Sequence, residues 1–301
     1  MPGDPTRFGA LETGGTTTRV AVGTADGSLL ARDAFPTGAP AGTVARVAVF
    51  LAPHRVGALG VAAFGPIDVE KTSPTYGTLL ATPKAGWSSF PLRGELERAL
   101  PVRVKVETDV NAAALAEQAA AKLAGVDART LVYVTVGTGV GVGVALDGEA
   151  HHGALHPEGG HLLVARAKGD VLAGLCPFHG DCLEGLASGA AIAARAGVPA
   201  ERASPSLDVW RIEAEYLAQL VVAIVGFLAP HQIVLGGGVM KTPGLLERVR
   251  VRAAELARGY SPLLADAERA RSLLVAPRLG DDSGLMGALK LASSRDAEGR
   301  Q

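Results

Sequence analysis

The spacing of apolar residues in the first part of the chain predicts strands before helices. Apolar runs at 8–12, 19–23 and 29–35 indicate strands, separated by turns rich in Gly and Thr or marked by Asp-Gly. Buried strands are also predicted at 58–64 and 102–107, and helical spacing occupies 43–51, 91–100 and 111–123.

The rest of the chain repeats this arrangement. Strands are predicted at 130–136, 140–146, 232–235 and 273–277, and helices at 207–228, 245–257 and 283–292. A Val-rich strand, a Gly/Thr turn and a second strand occur at both 8–23 and 131–146. This repeat predicts two similar halves with a cleft between them; two unrelated glycine turns are the alternative. Residues 153–182 have no clear period, and a loop that long usually carries function.

Composition excludes several classes of protein. The 301 residues are 48% hydrophobic and 20% charged, which is typical of folded domains, and the net charge of −1 argues against a broad basic surface for nucleic acid. Two cysteines cannot form a disulfide framework. The N-terminus lacks the apolar core of a secretory signal, and the apolar stretch 220–230 is too short to span a bilayer. We therefore expect a cytoplasmic protein without membrane or nucleic-acid partners.

Three glycine-rich segments have the chemistry of phosphate binding. They are 13–18, 135–141 and 236–238. Glycines let backbone N–H groups approach a phosphate, and threonine hydroxyls add donors. Neither of the first two is a P-loop or opens a helix, so each alone could equally be a tight hairpin. Together they indicate a nucleotide held from both sides.

The segment 107–111 joins a predicted strand to a predicted helix. A carboxylate in that position, such as Asp109, lies where α/β proteins bind ligands. An N-cap for the Ala-rich helix is the alternative role for Asp109.

Both cysteines fall in a Cys-x2-His-x2-Cys pattern formed by Cys176, His179 and Cys182, which is typical of a zinc site. The candidates for a fourth ligand are His151, His152, His156 and His161. Two reduced cysteines beside surface histidines are the alternative.

These motifs, in this order, resemble the ROK family of sugar kinases, in particular its bacterial fructokinases, from about residue 8 to 292. The most specific segments are Phe-Gly-Pro-Ile-Asp at 64–68, Tyr-Gly-Thr-Leu-Leu-Ala-Thr-Pro-Lys-Ala-Gly-Trp at 76–87, Glu-Thr-Asp-Val-Asn at 107–111, His-Pro-Glu-Gly-Gly-His at 156–161 and Cys-Pro-Phe-His-Gly-Asp-Cys-Leu-Glu at 176–184.

The resemblance implies an α/β fold of two ribonuclease-H-like domains, as in actin and hexokinase, with a cleft between them. The expected domains are 1–112, completed by a C-terminal helix at about 283–301, and 113–282 with the zinc loop. It further implies a homodimer that transfers phosphate from ATP to a hexose with Mg²⁺. D-fructose is the first choice of sugar, with mannose and glucose behind it.

The resemblance also assigns roles to residues. Asp109 falls on the catalytic base. The sugar-binding positions are Gly65, Asn111, Glu158, His161 and Glu184. The positions for nucleotide and Mg²⁺ are Glu12, Gly14, Gly15, Thr16, Thr138, Gly139, Gly236, Gly237 and Gly238. The ligands of a structural zinc ion are His161, Cys176, His179 and Cys182.

Three residues depart from the family pattern. Glu12 and Thr17 stand where the family usually has Asp and Lys, and Thr108 stands where many members have Asn. The first two changes keep a non-catalytic sugar-binding homologue as an alternative. A sugar-responsive repressor is disfavoured, because the first glycine turn begins at Thr13 and leaves no room before it for a helix-turn-helix domain.

Overall fold

The computed structural model describes residues 7–294, which form ten strands and nine α-helices. The strands are β1 Phe8–Thr13, β2 Thr17–Gly23, β3 Leu29–Pro36, β4 Ala58–Ala63, β5 Arg103–Thr108, β6 Thr130–Val136, β7 Val140–Leu146, β8 Glu149–Ala150, β9 Gln232–Gly236 and β10 Leu274–Val275. The helices are α1 Pro40–Leu51, α2 Leu92–Ala99, α3 Asp109–Leu123, α4 Leu183–Ala187, α5 Gly189–Ala196, α6 Val209–Leu228, α7 Leu245–Ala257, α8 Ala267–Leu273 and α9 Ser283–Ser293.

The chain divides into two compact units. Unit 1 takes its residues from Met1–Ala116, Ala150–His156 and Asp282–Gln301, and unit 2 from Glu117–Glu149 and Pro157–Asp281. The predicted division into 1–112 with 283–301, and 113–282, includes residues 1–6 and 295–301. These lie outside the described residues, and that division stays a prediction.

Each unit contains one five-stranded mixed sheet, and the two sheets have the same topology. The order is β3-β2-β1-β4-β5 in unit 1 and β8-β7-β6-β9-β10 in unit 2. In both, the central strand is antiparallel to the strand that follows it and parallel to a later strand, as β1 is to β2 and β4. The predicted α/β class and internal repeat are confirmed.

The sheet of unit 1 is buried on both faces, which explains its continuous apolar strands. One face carries large side chains such as Leu11 and Val61 and packs with residues of α1 and α2. The other face carries alanines and packs against α9. The contact with α9 is very close, since a Cβ at Gly60 would overlap the carbonyl oxygen of Ala288.

The core of unit 2 surrounds α6. Buried residues of this helix, including Trp210, Tyr216 and Leu217, pack with the apolar side chains of β6, β9 and α7. Among the described residues, no helix has both the length and the apolar composition that a membrane span requires.

The predicted elements are confirmed with small shifts at their ends, and four elements were missed: β8, α4, α5 and α8. Helix α5 carried a readable signal, because the side chain of Ser188 accepts from Ala191 N and Gly197 adopts a left-handed conformation at the C-cap. The strand expected at 273–277 is reduced to β10, because Leu273 ends α8 and β10 pairs with β9 only at Leu274 and Val275.

Candidate active site

Three of the predicted site segments in unit 1 lie at one edge of its sheet. The parallel strands β1, β4 and β5 are in register, so that Thr13 lies beside Ala63 and Ala63 beside Thr108. The first glycine turn, Gly65 and Asp109 directly follow these strands. The carboxyl ends of parallel strands are the usual ligand-binding edge of an α/β sheet.

The first glycine turn is held in place by hydrogen bonds that its carbonyl groups accept from Thr37 and Lys84. Thr37 Oγ1 donates to Gly14 O at 2.8 Å, Thr37 N donates to Thr16 O at 2.9 Å, and Lys84 Nζ donates to Gly15 O at 2.6 Å. A Cβ at Gly15 would meet nothing within 4 Å, and no positive φ requires glycine there. The packing of this chain therefore does not explain Gly15, whereas a phosphate approaching the backbone would.

Glu12 occupies a crowded position on β1. Its carboxylate lies 3.5 Å from Arg19 Nη1 on β2. It also contacts the first turn of α9, where a Cβ at Gly284 would lie 2.5 Å from Glu12 Oε1. A negative charge is favourable at a helix N-terminus. The Glu12 side chain is longer than that of the Asp usual in the family. Arg19, which pairs with the carboxylate, and Gly284, which has no Cβ to clash with it, accommodate the extra length.

Asp109 is the first residue of α3 and is half-buried. The capping bond of this helix is made by its neighbour, because Thr108 Oγ1 accepts from Asn111 N at 3.2 Å. Asp109 Oδ1 accepts from Val110 N at 2.9 Å. The helix therefore does not depend on Asp109 for its N-cap.

A buried carboxylate, Glu107, lies two residues before Asp109. Its Oε1 accepts from Thr108 N at 2.8 Å and from Asn111 Nδ2 at 3.2 Å, and its Oε2 lies 2.9 Å from His152 Nε2. His156 Nδ1 lies 3.4 Å from the same Asn111 amide. Both histidines, which the sequence offers as zinc-ligand candidates, therefore belong to this network in unit 1.

The two histidines of this network differ in their proton affinity. The hydrogen bond to Glu107 raises the pKa of His152 above its ordinary value. Burial lowers the pKa of His156 to about 4, so this ring is neutral near pH 7 and its Nδ1 can accept from Asn111.

The second glycine turn lies in unit 2, between β6 and β7. Glu184 Oε2 accepts from Val140 N at 3.1 Å, at the end of this turn. The carboxylate passes so close that a Cβ at Gly139 would overlap it, whereas a Cβ at Gly137 would meet nothing within 4 Å. The close approach of Glu184 therefore explains why residue 139 is glycine, whereas the space beside Gly137 is open to a ligand.

The third glycine segment lies beside the second turn, because Thr135 on β6 is paired with Gly236 on β9. Gly236 packs against the Tyr133 hydroxyl, and Gly237 has a φ of +91° and packs against the backbone of Val136. Gly238 has open space at its Cβ position. The fold requires the first two glycines, and only Gly238 lacks a packing reason.

The fit of His161, Cys176, His179 and Cys182 to a zinc ion can be tested from their distances. Their ligand atoms all lie within 4.8 Å of one another. His161 Nδ1 is 3.6 Å from Cys176 Sγ and 3.5 Å from Cys182 Sγ, and His179 Nδ1 is 3.6 Å from Cys176 Sγ. A tetrahedral zinc with Zn–S of about 2.3 Å and Zn–N of about 2.0–2.1 Å separates N and S by about 3.6 Å. The donor set fits zinc.

His161 presents different nitrogens to two partners. Nδ1 faces the cysteine sulfurs, and Nε2 lies 4.0 Å from Glu184 Oε1. A metal on Nδ1 would place the ring proton on Nε2, where it can be donated. Glu184 therefore lies between the second glycine turn and the cluster of possible zinc ligands.

Glu158 precedes a short 3-10 turn, Gly159–His161, that packs directly on β7. A Cβ at Gly160 would overlap the carbonyl oxygen of Val140, so glycine is needed there. Residue Glu158 as a whole is exposed, but its carboxyl group is partly desolvated, which is the main cause of its raised pKa; His161 lowers this pKa and Glu184 raises it. The turn holds Glu158 near His161 and Glu184.

The loop that carries Cys176 is anchored by a buried ion pair. Asp170 accepts from Arg195 Nε at 2.9 Å, from Arg195 Nη2 at 2.7 Å and from the Tyr216 hydroxyl at 2.5 Å. Burial alone would raise the pKa of Asp170, but these hydrogen bonds hold it at about 2. The loop is therefore attached to both α5 and α6.

The structure sorts the predicted residues into two groups. Unit 1 holds Glu12, Gly14, Gly15, Thr16, Gly65, Asp109 and Asn111, and unit 2 holds Thr138, Gly139, Glu158, His161, Cys176, His179, Cys182, Glu184, Gly236, Gly237 and Gly238. The sequence pattern assigns no role to Glu107 or Lys84. The sequence does contain one signal for Glu107, because it places a carboxylate at the end of a predicted strand, where α/β sheets bind ligands.

The chain is similar to known proteins over nearly its whole length. The profile of the ROK family matches residues 8–295. Fructokinase of Zymomonas mobilis is 39% identical over 301 residues, covering 97% of this chain and 98% of that protein. Fructokinase of Lactococcus lactis is 36% identical, covering 87% and 89%. The solved ROK family glucokinase of Streptomyces griseus, in complex with glucose and AMPPNP, has a TM-score of 0.76 at 25% identity and covers 95% and 99%. The chain belongs to the ROK family.

Proposed function

We propose that the protein transfers the γ-phosphoryl group of ATP to a hexose, and that D-fructose is its substrate. The support for fructose is the identity of 36% and 39% to fructokinases, against 28% to a glucokinase of Halalkalibacterium halodurans. The complex of the Streptomyces griseus glucokinase with AMPPNP supports ATP as the donor.

The observation that carries the proposal is the common sheet edge in unit 1. Asp109 and the turn at Gly15 follow parallel strands that are joined in register through β4. Asp109 accepts the proton of the C6 hydroxyl of fructose while that oxygen bonds to the γ-phosphorus, which gives fructose 6-phosphate. The bond to the β-phosphate breaks, and ADP leaves. Phosphoryl transfer depends mainly on positioning and charge stabilisation, which this edge provides.

The phosphates are held by backbone groups and cations. Gly14, Gly15 and Thr16 form the first turn, and Thr138 and Gly139 the second. Lys84, already at the carbonyl of Gly15, supplies a positive charge beside the first turn. Mg²⁺ favours oxygen ligands, and the Glu12 carboxylate would help to hold it; the ion neutralises phosphate charge when bound.

In unit 2, the side chains assigned to the sugar hydroxyl groups are Glu158, His161 and Glu184. In unit 1, the sugar-binding positions are Gly65 and Asn111. His161, Cys176, His179 and Cys182 would hold zinc as a structural ion, because protein fills all four positions. Coordination through Nδ1 would leave Nε2 of His161 directed away from the sulfurs. The third segment, 236–238, is assigned to the adenosine.

The test is a sugar panel with ATP and Mg²⁺ and coupled detection of ADP. Fructose should give the highest kcat/KM, ahead of mannose and glucose. Asp109→Asn should lower kcat by roughly 10²–10⁴ and leave fructose binding nearly intact. Asp127→Asn, exposed just beyond the other end of α3, is the matched control and should behave as the native protein.

Each outcome has a consequence. Native turnover in Asp109→Asn would refute the base assignment. A better substrate than fructose would redirect the proposal to another hexose, and no ADP formation with any sugar would favour the non-catalytic homologue. The homodimer implied by the family resemblance stays a prediction, which light scattering can check.

A further inference from the structure

The network around Glu107 has a role that the residues of the proposed mechanism do not explain. Only 7% of the Glu107 side chain is exposed, and both carboxylate oxygens have partners. Burying a carboxylate is costly unless it is fully hydrogen-bonded. A buried carboxylate that needs partners for both of its oxygens, placed at the ligand-binding edge of the sheet, calls for a reason beyond packing.

The bonds of Glu107 hold the chain on both sides of Asp109, through a backbone group on one side and a side chain on the other. Oε1 accepts from the backbone N–H of Thr108, the residue before Asp109. The same oxygen accepts from the side chain of Asn111, two residues after it. The direction of the Asp109 carboxylate depends on this turn, because its side chain leaves the chain between the two anchored residues.

The position of Glu107 in turn depends on His152. His152 Nε2 lies 2.9 Å from Glu107 Oε2, and because a carboxylate only accepts, the imidazole donates. His152 is 27% exposed. The other groups that face it are His156, Lys71 and Glu70. Within the described part of the chain, Glu107 is the group that holds the His152 ring by a short hydrogen bond.

We propose that His152 is a positioning residue for phosphoryl transfer, which through Glu107 fixes the turn that presents Asp109 to the sugar. The proposal rests on the proposed function of Asp109. His152 does not touch the reacting atoms. It also belongs to the segment Ala150–His156 of unit 1, which leads directly to Glu158. One hydrogen bond therefore joins the segment Ala150–His156 to β5, the strand that ends directly before Asp109.

The prediction is a change in kcat without a matching change in KM. A displacement of about 1 Å at a reacting group can cost on the order of 10² in rate. His152→Ala should lower kcat by roughly 10- to 100-fold and leave KM for fructose and ATP within about three-fold. His152→Gln retains a donor at the same reach and should restore kcat to within about three-fold of the native protein.

The pH profile separates positioning from a general loss of structure. Protonation of His152 adds a positive charge to a hydrogen bond whose acceptor is the Glu107 carboxylate, and the attraction between opposite charges strengthens that bond. Native kcat should therefore fall by a few-fold as the pH rises through the raised pKa of His152. His152→Gln has no such titration, so its profile should be flat there. His151→Gln is the matched control, because only the backbone carbonyl of His151 enters the network.

The outcomes distinguish this proposal from the proposed function. An inactive Asp109→Asn together with native kcat in His152→Ala overturns the positioning role alone. Superimposable pH profiles of the native protein and His152→Gln overturn it as well, even if His152→Ala fails to fold. Native turnover in Asp109→Asn overturns the base assignment, whatever the His152 variants show.

Discussion

The buried pair of Asp170 and Arg195 allows a stability prediction with a worked magnitude. Only 2% of the Asp170 side chain and 8% of the Arg195 side chain are exposed. The perturbation is Asp170→Asn, which keeps the shape of the side chain and removes its charge. The guanidinium of Arg195 then stays buried without its counter-ion, although Arg195 Nη1 keeps its bond to Leu186 O at 2.6 Å.

The pKa of Asp170 sets the lower bound of the effect. A carboxyl whose pKa falls from 3.8 to about 2 stabilises the folded state by about 2 kcal/mol, because one pKa unit is worth about 1.36 kcal/mol. This stability is present above pH 3.8 and is lost as the pH falls through 2. Removing one partner of a buried pair costs about 3–5 kcal/mol, because the other charge is left uncompensated.

Urea unfolding at pH 7 of zinc-loaded protein measures this loss. Asp170→Asn should lower the free energy of unfolding by about 2–5 kcal/mol. Asp208→Asn is the matched control, because Asp208 forms an exposed pair with Arg211, at 69% and 50% exposure, and should show no measurable change. Equal losses in the two variants, or a loss under about 1 kcal/mol in Asp170→Asn, would refute the reasoning.

Two further predictions test the zinc ligands and the glycines. Cys176→Ser should lose its bound zinc, measured by elemental analysis, and most of its activity with it. Asp181→Asn, in the same loop but outside the ligand cluster, should keep both. An active Cys176→Ser variant without zinc would contradict the structural role. Gly15→Ala should raise KM for ATP on the order of ten-fold at unchanged melting temperature, since its Cβ meets only open space. Gly60→Ala, whose Cβ would overlap Ala288 O, should instead lose about 1–3 kcal/mol or more of stability; identical behaviour of the two glycine variants would be inconsistent with this distinction.

The sequence by itself determined most of the secondary structure. Strands β6 and β7 and helix α7 have the predicted bounds, because the period of apolar residues and the turn residues are local properties of the chain. The same local reasoning found the Cys-x2-His-x2-Cys spacing. It missed α4 and α5, because the segment 183–196 is rich in alanine and glycine and the two helices are only 5 and 8 residues long.

Only the tertiary structure decided which distant residues meet. The sequence left four histidines open as the fourth zinc ligand; the structure brings His161 to the sulfurs and places His152 and His156 beside Glu107 and Asn111. Likewise, the pairing of Glu12 with Arg19 follows from their register on adjacent strands. Contacts between residues far apart in the chain depend on strand register and on the packing of whole elements. A period of two or of 3.6 residues specifies which face is buried, but not what covers it.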